Sequence, residues 1–71
     1  MPFSNVVLQP DQLALVRRVF DNIVSEAWFS KNQDNEFTFA SMIVREFEHG
    51  TRDETELLGR CKAIAQERFI R

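Results

Sequence analysis

Cysteine and histidine each occur only once in this sequence, and their scarcity excludes several routes to stability. Cys61 is the only cysteine and His49 the only histidine among the 71 residues. No internal disulfide can form, and the Cys and His ligands of a structural zinc site are missing. A chain this short is only marginally stable alone, so regular helix packing and self-association are the remaining supports. A lone thiol also favours a reducing compartment, and we expect a cytoplasmic protein.

Long apolar runs and an excess of basic residues are missing too. No stretch approaches the roughly 20 apolar residues that span a membrane, and residues 1–5 lack the basic segment of a signal peptide. The formal net charge is −2 and the pI is about 5.3. Nucleic-acid-binding domains are often basic, with a pI above about 9. We therefore expect no membrane association and regard nucleic acid as a disfavoured partner.

Residues that break helices are rare, whereas large apolar side chains are abundant. The chain contains two Gly, two Pro and no Tyr, but seven Phe and one Trp, and 44% of its residues are hydrophobic. This composition is too apolar for a disordered chain. Few breakers and many large apolar groups favour helices joined by short turns.

Apolar residues at helical spacing predict a first helix that begins at Pro10 and ends near Phe29. Proline suits the first helical position because its missing N–H is not needed there. The apolar stripe of this helix is formed by Leu13, Val16, Phe20, Ile23, Val24 and Ala27. The next seven residues, Ser30–Glu36, are polar and are predicted to form a loop.

A second helix is predicted to start after an N-cap at Asn35 or at Thr38 and to run to His49. Gly50 follows, and a glycine directly after a helix is the usual left-handed stop. The start of a third helix fits two capping boxes, one from Thr51 to Glu54 and one from Asp53 to Glu56, and the sequence leaves both open.

None of the three predicted helices can bury its apolar stripe alone, so they must pack on one another. We predict an all-α fold, a small three-helix bundle with a short N-terminal arm. Residues 1–9 form the arm and residues 10–71 form a single three-helix domain. The predicted core consists of Phe20, Phe39, Phe47, Leu57, Cys61, Ile64 and Phe69.

Three fragments of the chain carry a resemblance to other proteins. They are Leu8–Leu13 (LQPDQL), Val19–Asp21 (VFD) and Phe47–Glu54 (FEHGTRDE) running on to Leu57. In order and spacing they resemble a loose group of short, uncharacterised alphaproteobacterial proteins, over most of the chain from Leu8 to Leu58. The shared motifs are helix starts and stops. The resemblance implies a compact helical fold in the bacterial cytoplasm, and it implies no activity for any residue.

No pattern in the sequence indicates an enzyme, a cofactor or a metal site. Nucleophilic catalysis would require Cys61 beside an oriented base, but Cys61 lies in the apolar stripe of the third helix and His49 on a polar side of the second. The alternating Asn32, Asp34 and Glu36 fail as a calcium loop, because Phe37 stands where that loop requires glycine. We therefore expect no catalytic residue, no cofactor and no metal ligand.

Two alternative functions come from other classes of protein. A short turn before the last helix is compatible with a helix-turn-helix DNA-binding regulator, but three acidic residues in the sequence Asp53–Glu56 would repel phosphates at the start of the recognition helix. The chain could also be an accessory subunit of an enzyme whose active site lies elsewhere. Neither alternative has a positive signal of its own in the sequence.

The surplus of aromatic residues is the most informative feature for function. Trp28, Phe29 and Phe37 lie at the edges of the predicted stripes or at helix ends, and a bundle this small has little room to cover all of them. They either close one end of the bundle or form an apolar patch that binds a partner. We predict a non-enzymatic protein–protein interaction module that uses Trp28, Phe29 and Phe37, with an unknown protein or a second copy as the partner.

Overall fold

Three helices form the bundle in the computed structural model, which describes residues 8–71. They are α1 (Pro10–Val24), α2 (Gln33–Glu48) and α3 (Glu54–Arg68), and each packs against the other two. The prediction of a small all-α three-helix bundle is therefore confirmed. Most of the predicted N-terminal arm, residues 1–7, lies outside the described residues. Leu8 is half-buried and packs against the core.

The first helix begins where the sequence predicts but ends earlier. Pro10 occupies the first position, and the backbone N–H of Gln9 donates to Oε1 of Gln12 at 3.0 Å. The helix stops at Val24, so the predicted end near Phe29 is wrong. Residues 25–29 instead form consecutive tight turns, because the N–H of Phe29 donates to the carbonyl of Glu26 at 3.1 Å.

The second helix begins before either of its two predicted N-caps. Oδ1 of Asn32 accepts the backbone N–H of Asn35 at 2.8 Å, which makes Asn32 the N-cap, and the predictions of Asn35 and Thr38 are wrong. The Asn35 side chain instead donates to the carbonyl of Ser30 at 2.7 Å. Most of the predicted loop from 30 to 36 is therefore helical, since polar residues can form an exposed first turn as well as a loop.

The boundary between α2 and α3 follows the sequence closely. Gly50 has a φ of 118°, a left-handed conformation that favours glycine, and α2 ends two residues before it. Of the two possible starts, the structure selects Asp53 as the N-cap, because Oδ2 of Asp53 accepts the N–H of Glu56 at 3.0 Å. Thr51, the rejected cap, is buried.

The core lies along the axis of the bundle and receives side chains from all three helices. Six of the seven predicted core residues are buried, and Ile64 is half-buried. The buried apolar residues are Val16, Val19, Phe20, Ile23, Val24, Phe29, Phe39, Ala40, Ile43, Phe47, Leu57, Cys61, Ala65 and Phe69.

One end of the bundle is closed by backbone pairing between two non-helical segments. Phe29 and Ile70 form an isolated antiparallel bridge. The N–H of Ser30 donates to the carbonyl of Phe69 at 2.6 Å, and the N–H of Arg71 donates to that of Trp28 at 2.8 Å. These bonds tie the α1–α2 connection to the end of α3. We call this region, where α1 and α3 end and α2 begins, the aromatic end.

Replacing Gly50 and Gly59 by alanine should change the free energy of unfolding in opposite directions. An added Cβ would meet nothing within 4 Å at Gly50 or at Gly59, so only the backbone conformation matters. Gly50→Ala should lower the free energy of unfolding by about 1–2 kcal/mol, because the left-handed conformation strains an L-residue. Gly59→Ala should raise it by about 1 kcal/mol, because alanine is the better residue inside a helix. Urea denaturation of both variants measures the difference. Destabilisation of equal size in both would contradict this assignment.

Candidate interaction surface

A cluster of phenylalanine rings fills the aromatic end. The ring centroids of Phe29, Phe39 and Phe69 lie 5.4 to 5.7 Å apart in all three pairs. Phe20 and Trp28 extend the cluster, each with its centroid 6.1 Å from one of these rings. Such spacing is typical of favourable aromatic pairs. The cluster therefore joins α1, α2, the end of α3 and the α1–α2 connection.

The structure separates the three residues that the sequence grouped as a binding surface. Phe29 is only 2% exposed and lies inside the aromatic cluster, so its assignment to an exposed patch is wrong. The reason is the early end of α1, since the following turns fold Phe29 back over the core. Trp28 is half-buried at the edge of the cluster. Phe37 is 53% exposed.

Ile70 is an exposed apolar residue that sequence analysis missed. It is 59% exposed, and with Phe37 it is one of the two large hydrophobic residues in the described part of the chain that are exposed. Helical periodicity did not reveal it because α3 ends at Arg68. Phe69 is the C-cap of α3, with φ −122° and ψ 23°, and its ring is buried in the cluster, whereas Ile70 follows it in the bridge with Phe29 and is exposed. We call Trp28, Phe37 and Ile70 the aromatic-end surface.

Acidic residues accompany Phe37 at the start of α2. Asp34 and Glu36 lie in the first turn of the helix, where negative charge complements the helix dipole. Asp34 is exposed and Glu36 is half-buried. The Phe37 side of the aromatic-end surface is therefore bordered by negative charge.

Basic residues accompany Ile70 at the end of α3. Arg68 lies in the last turn of the helix and Arg71 follows Ile70 directly, and both are exposed. Nη1 of Arg71 donates to the carbonyl of Ala27 at 3.2 Å, which holds the guanidinium close to Trp28. The Ile70 side of the surface is therefore bordered by positive charge.

None of the ion pairs within residues 8–71 involves Asp34, Glu36, Arg68 or Arg71. Arg18 and Glu54 join α1 to α3 with two hydrogen bonds of 2.8 and 3.2 Å. The bond from Arg18 lowers the pKa of the Glu54 carboxyl, and the same pair raises the pKa of Arg18. Lys62 lies 3.6 Å from Glu26, and Arg60 lies 3.8 Å from Glu56. A shallow polar depression beside the first pair is lined by Arg18, Asp21, Asn22, Ser25 and Glu54.

The residues considered for catalysis lie in unsuitable surroundings. Cys61 is fully buried, and this burial raises the pKa of its thiol to about 12, with the Glu46 carboxylate contributing to the increase. A thiol held in its neutral form is a poor nucleophile. His49 is the exposed C-cap of α2. Among residues 8–71, no three His, Cys, Asp or Glu side chains are grouped in a way that could hold a metal ion.

The first turn of α3 presents negative charge, in contrast to a DNA recognition helix. Asp53, Glu54 and Glu56 are all exposed there. Arg52 precedes them, and its guanidinium carbon lies 4.5 Å from the ring centroid of Phe47, a cation–π contact that occupies this side chain. The recognition turn of a helix-turn-helix protein normally meets phosphates and base edges, and three carboxylates oppose that contact.

Comparisons with known proteins give this chain no relative. No protein-family model, no curated protein and no solved structure matches it. Across residues 8–71, each helix is too short or too polar to span a bilayer.

Phe29 and Phe37 should differ sharply when each is replaced by alanine. Phe29→Ala removes a buried ring from the aromatic cluster and should lower the free energy of unfolding by about 3–5 kcal/mol. Phe37→Ala removes a largely exposed ring and should change it by no more than about 0.5 kcal/mol. Thermal denaturation followed by circular dichroism measures both. A large loss at position 37 would show that its ring supports the fold.

Cys61 should react very slowly with a thiol reagent in the native protein at pH 8. The folded state raises the pKa of the thiol from 9.0 to about 12. Between these two pH values the native side chain keeps its proton while the unfolded chain loses it. The free energy of unfolding should therefore decrease as the pH rises from about 9 towards 12. The contribution of the thiol to this decrease should be absent from the Cys61→Ala variant. Labelling with and without denaturant, followed by mass spectrometry, checks the first point. Rapid labelling without denaturant would contradict the burial.

Proposed function

We propose that this chain is a non-enzymatic protein–protein interaction module that binds its partner through the aromatic-end surface. The observation that carries the proposal is the location of both large exposed hydrophobic residues, Phe37 and Ile70, at the same end of the bundle as the half-buried Trp28. Exposed aromatic and large apolar residues are typical of interface centres.

The aromatic cluster beneath this surface supports the same proposal. Phe29 and Phe69 are buried, and the carbonyl of Trp28 accepts the N–H of Arg71, so Trp28 and Ile70 are held beside the cluster. A rigid surface loses little conformational entropy when a partner binds. We place this module in the bacterial cytoplasm, in agreement with the resemblance to alphaproteobacterial proteins and the single buried thiol.

The same surface is compatible with an accessory subunit that docks on an enzyme. In that case the partner is the enzyme, and the contact residues are the same. The DNA-binding alternative has less support, because the start of α3 is acidic and the net charge of the chain is −2.

A capture experiment with matched variants tests the proposal. The immobilised wild type should retain a partner, either another protein from a bacterial extract or a free copy of the chain. Phe37→Ser and Ile70→Ser should reduce the retained amount at least about tenfold, because each removes apolar area from the centre of the contact. Ala63→Ser, an exposed change on α3, is the control and should retain as much as the wild type.

Two results would contradict the interaction module. One is a wild type that retains neither another protein nor itself. The other is a partner that both surface variants retain as well as the control does. Circular dichroism of each variant verifies that a loss of binding does not come from a loss of fold.

A further inference from the structure

We draw no further inference here: the strongest candidate, the surface patch around the exposed ring of Phe37 on the outer side of α2, is an apolar face for which nothing in the structure shows what covers it.

Discussion

The packing of Phe29, Phe39 and Phe69 is the contact on which the rest of this structure depends. One ring comes from the connection after α1, one from α2 and one from the residue after α3, so the cluster joins all three parts of the chain. The rings remain together because two backbone hydrogen bonds hold the segments on either side of the Phe29–Ile70 bridge. In a chain of 71 residues without a disulfide, this packing holds the distant segments together.

Burial of those rings also decides which residues remain outside. Phe69 ends α3 with its ring in the core, and Ile70, the next residue, pairs with Phe29 through the backbone and keeps its side chain exposed. The aromatic-end surface is therefore a consequence of how the core is closed. The charges beside it have a separate origin, because acids favour the first turn of α2 and bases the last turn of α3. Antiparallel packing of these two helices brings the opposite charges to one end of the bundle.

Much of the fold could be predicted because its signals are local. Pro10 at the start of α1, Gly50 after α2 and the acidic residues before α3 act through their own backbone neighbours, and each of these boundaries was predicted within about two residues. The candidate site could be predicted only in part. Trp28 and Phe37 were identified as surplus aromatics, whereas the fate of Phe29 depended on turns that no periodicity reveals, and Ile70 has no local signal at all.

The sequence by itself determined the three amphipathic helices, the central core and the buried Cys61, because apolar residues at helical spacing must meet when no helix can bury its stripe alone. Tertiary structure decided which aromatic residues face solvent. Residues 25–32 could have continued α1 or formed an open loop. Their backbone hydrogen bonds to the end of α3 fix the conformation that is observed. That contact joins residues about 40 positions apart in the chain. Whether Phe29 or Ile70 is exposed therefore depends on the segment that packs against each of them, which the local sequence does not specify.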